Sequence, residues 1–181
     1  MKSDVVKAVS AGAVGVWAMD VVTWWMYRRQ DPAALRREEQ TRVRGKDTAH
    51  AAARRLAELV GSDAARDEPN AAGLVIHYAL GIVPAAVYVR QRRSRRWLRA
   101  GRGAVYGLLL AIANDEIAGR LLGITGPQRN YPWQAHLRGV VGHVVLGIVT
   151  EAMLRALEEN TARAPDSTPV GGAAQRQAPP T

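Results

Sequence analysis

The chain has 181 residues, which suits a single domain, and a formal net charge of +9. It contains no cysteine, which excludes disulfides, thiolate metal sites and cysteine nucleophiles. The positive charge would also fit a nucleic-acid-binding protein, but seven arginines lie between Arg90 and Arg102, directly between two apolar blocks. Arginines in a short loop between apolar segments are typical of a membrane protein. We therefore predict an integral membrane protein that binds no nucleic acid.

The first predicted membrane span covers about residues 5–27. The apolar run continues to Met26, which is too long for a signal-peptide core, so the span is expected to remain uncleaved. Asp20 lies inside it, either as a hydrogen-bonding partner for a neighbouring helix or as a functional group. Small residues recur at helical spacing and allow close helix contact in lipid: Ala8, Ala11, Gly12, Gly15 and Ala18.

The polar segment Arg28–Asn70 follows the first span. Asp31 precedes a proline, which is a typical helix start, and Thr48 is a second N-cap candidate before a helical pattern of apolar residues. Residues 31–61 are therefore predicted to form an amphipathic helical hairpin that lies on the membrane surface or on the end of the membrane helices. His50 falls on the polar margin of this hairpin and is expected to be solvated.

The second and third predicted spans flank the arginine-rich loop. The second covers about residues 71–89, with His77 near its start and Pro84 further along, where the proline frees a carbonyl that a neighbour must satisfy. The third covers residues 104–122, AVYGLLLAIANDEIAGRLL. Three consecutive polar residues lie inside this span: Asn114, Asp115 and Glu116. Such residues are costly in hydrocarbon and need partners on other helices. Asn114 and Asp115 are predicted to face the other helices, and Glu116 lies further round the helix.

The fourth predicted span covers about residues 135–153. One face carries small and polar residues, so both of its histidines are expected to face inward: His136, Gly139, His143, Gly147 and Thr150. Glu151 lies near the opposite end of this span, close to Arg155. Residues 1–158 are thus predicted to form one membrane domain, followed by a disordered tail over 159–181 that is rich in Ala, Pro, Gly and Gln.

The predicted fold is all-α: an integral membrane four-helix bundle with the amphipathic hairpin between spans one and two. Four spans place both termini and the arginine-rich loop on the cytoplasmic side. At about 1.5 Å of rise per residue, the ionisable groups of the first three spans lie about 8–10 Å from the outer ends of their spans. His143 lies about 12 Å into the fourth span. They would form one buried polar layer: Asp20, His77, Asn114, Asp115, Glu116 and His143. His136 and Glu151 are possible additional members.

The stretch GITGPQRNYPW, followed by HLRGVVGHVVLGIVTEAMLRAL, resembles the YagU-like bacterial inner-membrane proteins. The matching positions cover the C-terminal half: Gly123, Thr125, Pro132, Trp133, Gly142, His143, Glu151 and Arg155. The polar segment after the first span has no counterpart in that family. The resemblance implies a bacterial inner-membrane location and a link to acid survival, but no settled biochemical activity.

Three functions fit these patterns. The first is a structural or accessory membrane component, in which the polar layer supplies interhelical hydrogen bonds. The alternative is a protein that handles protons, ions or a small solute, since buried carboxylates and histidines are the groups of proton relays. The second alternative is a haem or metal site through His77 and His143.

Enzymatic activity is not expected, because the chain has no phosphate-binding loop, nucleophile elbow or HExxH motif. The expected partner is the lipid bilayer. A second copy of the chain and other membrane proteins are further candidate partners. The glycine-rich faces of the first and fourth spans suit dimerisation as well as internal packing.

Overall fold

The structure is a computed structural model that describes residues 2–63 and 70–163. All regular secondary structure within these two stretches is helical, which confirms the predicted all-α class. The helices are α1 (Lys2–Tyr27), α2 (Pro32–Thr41), α3 (Thr48–Leu59), α4 (Ala71–Gln91), α5 (Ala104–Ala111), α6 (Gly119–Leu121) and α7 (Trp133–Arg163). Short 3₁₀ segments lie at Val43–Gly45, Arg96–Gly103 and Gln128–Asn130.

Three helical stretches are long and apolar enough to cross a membrane: Asp4–Tyr27, Ala71–Gln91 and Trp133–Thr161. They contain the first, second and fourth predicted spans. The third predicted span differs from the expectation of one regular helix, because α5 passes into a π-helical segment, Ile112–Ala118, before the single turn of α6. A π-helical turn takes up extra residues and shifts the side chains that follow it around the helix axis.

Helix α1 contacts both α4 and α7 through its small residues. A Cβ added to Gly12 would lie 2.9 Å from the backbone of α4, and one added to Gly15 would lie 2.4 Å from a side chain of α7. Ala8 and Ala11 are fully buried in the same contact region. The small-residue face predicted for the first span is therefore confirmed, and it allows both neighbouring helices to approach closely.

Helices α5 and α7 cross at an equally close contact. A Cβ added to Gly107 would lie 2.1 Å from the carbonyl oxygen of His143, and one added to Gly147 would lie 2.4 Å from the carbonyl oxygen of Gly103. These positions admit no larger side chain without displacement of a backbone. The main chain of α7 at His143 is thus held directly against α5.

The proline inside α4 has the consequence that the sequence predicts. Proline has no N–H, so Pro84 cannot donate to the carbonyl oxygen of Leu80 one turn earlier. The side-chain amide of Asn114 donates to that oxygen instead, at 3.4 Å. Asn114 therefore links the π-helical segment to α4 and satisfies the acceptor that the proline leaves free.

The polar segment after α1 forms two helices, as predicted for the hairpin. At the start of α2 the Asp31 carboxylate accepts a hydrogen bond from the Ala34 N–H at 3.0 Å, with proline at the first helical position. The predicted cap of α3 is wrong by one residue: Asp47, not Thr48, caps the helix and accepts from the His50 N–H at 2.9 Å. An aspartate accepts this bond at least as well as a threonine, and its carboxylate reaches the free N–H groups at this helix end.

The packed face of α3 is narrower than its apolar pattern indicates. Leu56 and Leu59 follow the predicted helical spacing but are largely exposed. The buried residues are all alanines: Ala49, Ala51, Ala53 and Ala57. Small side chains allow α3 to lie close against the first turns of α4, which keeps the leucines at the edge of the contact.

At its C-terminal end α7 continues to Arg163, past the predicted end of the membrane domain at residue 158. The sequence there, LRALEEN, consists mainly of good helix formers, so the helix has no local reason to stop. The rest of the predicted tail, residues 164–181, lies outside the described residues, as do residues 64–69 of the polar segment.

Candidate functional site

The described part of the chain forms a partly open cavity of about 1200 Å³, named the polar cavity, between α1, α3, α4, the π-helical segment and α7. Most of its lining is apolar. The ionisable and amide groups of the predicted polar layer that line it are Asp20, His77, Asn114, Asp115 and His143. The helices that carry these residues are far apart in sequence, so the fold brings together five of the six side chains that the sequence places at one depth.

Asp20 and His77 form the first pair in the cavity. The Oδ1 atom of Asp20 lies 2.8 Å from Nε2 of His77, which joins α1 to α4. The two side chains remain 41% and 32% exposed, respectively. This pair therefore faces open space as well as each other.

Asp115 and His143 form a looser second pair, with Oδ2 of the carboxylate 3.6 Å from Nδ1 of the imidazole. That nitrogen lies 3.0 Å from the carbonyl oxygen of Gly139, which can only accept, so Nδ1 carries the proton and donates it there. Within the described residues, no donor lies in hydrogen-bonding range of the Asp115 carboxylate. The carboxylate is 39% exposed, whereas His143 is buried.

The π-helical segment also exposes a main-chain acceptor. The carbonyl oxygen of Asp115 accepts a hydrogen bond from the side-chain amide of Gln128 at 3.0 Å. Such a bond is possible because the ordinary α-helical pairing is interrupted in this segment. The backbone that carries the Asp115 carboxylate is thereby fixed by the loop before α7.

A third carboxylate–histidine pair, Asp47 and His50, lines the cavity from α3. Nδ1 of His50 lies 2.7 Å from Oδ2 of Asp47, and its ring packs on Gly73 of α4, where an added Cβ would lie 2.2 Å from the ring. The prediction that His50 is solvated is wrong, since its side chain is only 15% exposed. Asp47, three residues before His50, is a sequence signal for this pairing. Gly73, which makes room for the ring, is distant in sequence and gives no such signal.

An arginine cluster lines the cavity beyond the C-terminal end of α2. Nη2 of Arg138 and Nη2 of Arg42 donate to the same oxygen of Glu38, at 2.5 and 2.8 Å. Glu38 is almost fully buried. Burial would raise its pKa, but the hydrogen bonds from Arg138 and Arg42 outweigh burial and hold the pKa of Glu38 below its ordinary value. None of these three residues was predicted from the sequence.

Three predicted or possible members of the layer lie elsewhere: Glu116, His136 and Glu151, of which Glu151 belongs to the second cluster described below. Glu116 is exposed and is not part of the cavity lining, because its position in the π-helical segment turns it away from the neighbouring helices. The inward orientation predicted for His136 is also wrong. It is exposed in the first turn of α7, where its Nε2 lies 3.1 Å from the carbonyl oxygen of Gln128.

A second polar cluster, named the Glu151 network, lies at the other end of these helices. Arg92 donates to both carboxylate oxygens of Glu151, from Nε at 2.9 Å and from Nη2 at 3.0 Å. Arg99 and Arg155 donate to Oε1 at 3.1 and 2.8 Å, and the Tyr88 hydroxyl donates to Oε2 at 2.9 Å. Glu151 is only 1% exposed. The predicted proximity of Glu151 and Arg155 is confirmed.

Within the residues that the structure describes, no group of three or more histidine, aspartate or glutamate side chains is placed to hold a metal ion. His77 and His143 line the same cavity, and each is already hydrogen-bonded, to Asp20 and to Gly139. A haem or metal site through these two histidines stays a prediction from the sequence.

Comparison with protein families, curated proteins and solved structures finds no match to this chain. The resemblance of its C-terminal half to the YagU-like proteins therefore stays a prediction. What the protein does has to be inferred from the geometry of the cavity itself.

Proposed function

We propose that the chain is a small multi-span membrane protein that takes up a small solute in the polar cavity and exchanges protons at the cavity's carboxylate–histidine pairs. In this proposal the third predicted span, residues 104–122, crosses the membrane beside α1, α4 and α7 despite its π-helical segment. The observation that carries the proposal is that Asp20, His77, Asp115 and His143, from four separate segments, line one cavity.

The exposure of the carboxylates favours solute handling over interhelical hydrogen bonding. Polar groups that only hold helices together bury their charge between the helices, as Glu151 does. Asp20 and Asp115, in contrast, are about 40% exposed, at 41% and 39%, and both face the cavity. Asn114 fits the structural reading, because it satisfies a carbonyl of α4, but Asp115 has no such bond to make.

The size and the chemistry of the cavity agree with this reading. Small-molecule sites commonly occupy about 300–1000 Å³ and combine an apolar lining with a few polar groups. This cavity, at about 1200 Å³, is somewhat larger than that range and has the same combination of apolar and polar lining. Carboxylates and imidazoles within membrane segments are also the usual groups of proton relays. When Nε2 of His143 also takes up a proton, the resulting imidazolium can pass its Nδ1 proton to the Asp115 carboxylate 3.6 Å away, which leaves a neutral ring and a protonated carboxyl group.

The arginine distribution supports an orientation. Under the positive-inside rule the loop with Arg90–Arg102, and with it the Glu151 network, lies on the cytoplasmic side. The polar cavity then lies nearer the outer side, where residues of α3 line it. The bacterial inner membrane and a role in acid stress follow from the YagU-like resemblance and form part of the proposal on that ground alone.

Proton flux in proteoliposomes tests the proposal. Purified protein is reconstituted with an entrapped pH-sensitive dye, and flux after a pH jump is compared for the wild type, Asp115→Asn and Glu116→Gln. The two variants change neighbouring carboxylates, of which only Asp115 faces the cavity. We expect wild-type flux that falls by about tenfold or more in Asp115→Asn, equivalent to about 1.4 kcal/mol, and stays unchanged in Glu116→Gln.

Absence of flux from the wild type, with empty liposomes as the baseline, would contradict proton exchange. Equal loss in both variants would show that the flux does not pass through the cavity. Either result would favour a structural or accessory membrane component, and the search would then turn to partner proteins.

A further inference from the structure

We propose that the solute of the polar cavity is a lipophilic organic cation, held by the carboxylate of Asp115 with Asp20 as the second acidic group. This inference rests on the proposed function, since it names the class of solute for the same cavity. The class of solute follows from a comparison of the charged groups of the lining: some are engaged by oppositely charged or hydrogen-bonding neighbours, and others are not.

Each arginine of the lining is engaged by a neighbouring acid. Arg42 and Arg138 share the buried carboxylate of Glu38. Arg55, the other arginine of the lining, has its Nη1 3.9 Å from the carboxylate of Glu58 on the next turn of α3. An anionic solute would have to compete with these carboxylates, so the arginines provide a weak anion site.

The carboxylates of the lining differ in how far they are engaged. Asp47 caps α3 and also binds the ring of His50, so both of its oxygens are used. Asp20 is engaged through one oxygen, by His77. The Asp115 carboxylate accepts no hydrogen bond from the described residues, and the imidazole 3.6 Å from it, that of His143, directs its Nδ1 proton to Gly139. Negative charge is therefore least compensated at Asp115.

A carboxylate in apolar surroundings is costly unless a positive charge compensates it. A bound cation supplies that charge, and the lining determines which kind of cation fits. A metal ion needs several oxygen or nitrogen ligands, and no such group exists among the described residues. An organic cation needs only one carboxylate as a counter-charge, and it gains the rest of its binding free energy from apolar contact. The side chains that offer this contact include Trp24, Leu56, Leu74, Leu80 and Leu121.

A cation and an anion of nearly the same shape, with a related neutral molecule as reference, test this class. Equilibrium dialysis of the purified protein in detergent measures binding of tetraphenylphosphonium, tetraphenylborate and neutral triphenylphosphine oxide, each in a separate experiment with empty micelles as the blank. We expect the cation to bind about tenfold or more tightly than the anion, a difference of about 1.4 kcal/mol. Asp115→Asn should remove most of that preference, and Glu116→Gln should retain it.

The other outcomes contradict different parts of the proposal. Equal or tighter binding of the anion or the neutral probe to the wild type would overturn the cation assignment but leave a solute cavity in place. Binding of none of the probes would count against both the cation and the solute cavity. A cation preference that persists in Asp115→Asn would overturn the role of Asp115. Because the wild-type preference is measured without any substitution, the class is tested even if Asp115→Asn fails to fold.

Discussion

The polar cavity and the Glu151 network use similar residues in opposite ways. In the network one carboxylate accepts hydrogen bonds from three arginines and a tyrosine, and it is almost inaccessible. In the cavity the carboxylates of Asp20 and Asp115 are both partly exposed, and Asp115 accepts no hydrogen bond from the described residues. Both regions lie along the same helices, so the difference comes from local packing and not from the type of fold.

The comparison shows how to separate a structural charge from a functional one. A carboxylate whose lone pairs are all engaged contributes to the fold, and its removal leaves its partners uncompensated. A carboxylate that is accessible and incompletely bonded contributes little to the fold and stays available to a ligand or a proton. Substitutions in the two regions test this distinction, starting from the largest expected effect.

Glu151→Gln should cause the largest loss of stability. The glutamine would remove the described counter-charge of Arg99 and Arg155 and would leave the buried Arg92 with Glu158 as its acidic partner. Breaking a buried ion pair by neutralising one partner costs about 3–5 kcal/mol. SDS titration of the folded protein in mixed micelles measures this change, and Glu116→Gln, at an exposed site, is the matched control. Similar unfolding curves for the two variants would show that the network does not stabilise the fold.

Stability should also depend on acid at Glu38, which holds α2 against α7. Because folding lowers the pKa of Glu38, its contribution is fully present above the unfolded value of about 4.5 and is lost as the pH falls through the lowered folded value. The effect should be smaller than at Glu151, because Arg42 remains partly exposed.

Thermal unfolding in detergent between pH 7 and pH 3.5 checks this pH dependence. The difference in midpoint between the wild type and Glu38→Gln should be largest at pH 7 and should shrink on acidification. Glu39→Gln, one residue further along α2, should follow the wild type throughout. A midpoint difference that does not change with pH would show that Glu38 does not stabilise the protein through its charge.

Two stacked tyrosines provide an internally matched pair. The rings of Tyr88 and Tyr106 lie 4.1 Å apart between centroids, and both are buried. Tyr88 donates to Glu151, whereas the hydroxyl of Tyr106 is buried without a partner in the described part of the structure. Tyr88→Phe should cost about 1.5–3 kcal/mol, as for a hydrogen bond to a charged group, and Tyr106→Phe should be neutral or stabilising. Equal losses in SDS titration would contradict the described hydrogen bonding.

The sequence was most informative where the physical signal is local or periodic. The small residues of α1 recur at helical spacing, so the face that contacts α4 and α7 was predictable from Gly12 and Gly15. The start of α2 was predictable from Asp31 and its following proline. Equal depth along separate apolar segments likewise predicted that Asp20, His77, Asp115 and His143 would meet.

The parts that could not be predicted depend on contacts between distant segments. Periodicity does not reveal a π-helical segment, so the outward position of Glu116 depends on a local insertion with no pattern of its own. His50 lies in a polar segment and is buried only because Gly73 leaves room for its ring. The partners of Glu151 are Tyr88 of α4 and three arginines. Arg92 and Arg99 lie beyond the end of α4, and only Arg155 is near Glu151 in sequence.

Asp115→Asn should have a smaller effect on stability than the changes at Glu151, Glu38 and Tyr88. The Asp115 carboxylate accepts no hydrogen bond from the described residues, and the backbone bond from Gln128 to its carbonyl survives the change. We therefore expect the free energy of unfolding to stay within about 0.5 kcal/mol of the wild type, as for substitutions outside structural networks. SDS titration beside Glu116→Gln measures this. A loss of about 2 kcal/mol or more would place Asp115 with Glu151 as a structural charge, whereas unchanged stability together with lost proton flux would separate the two regions by function.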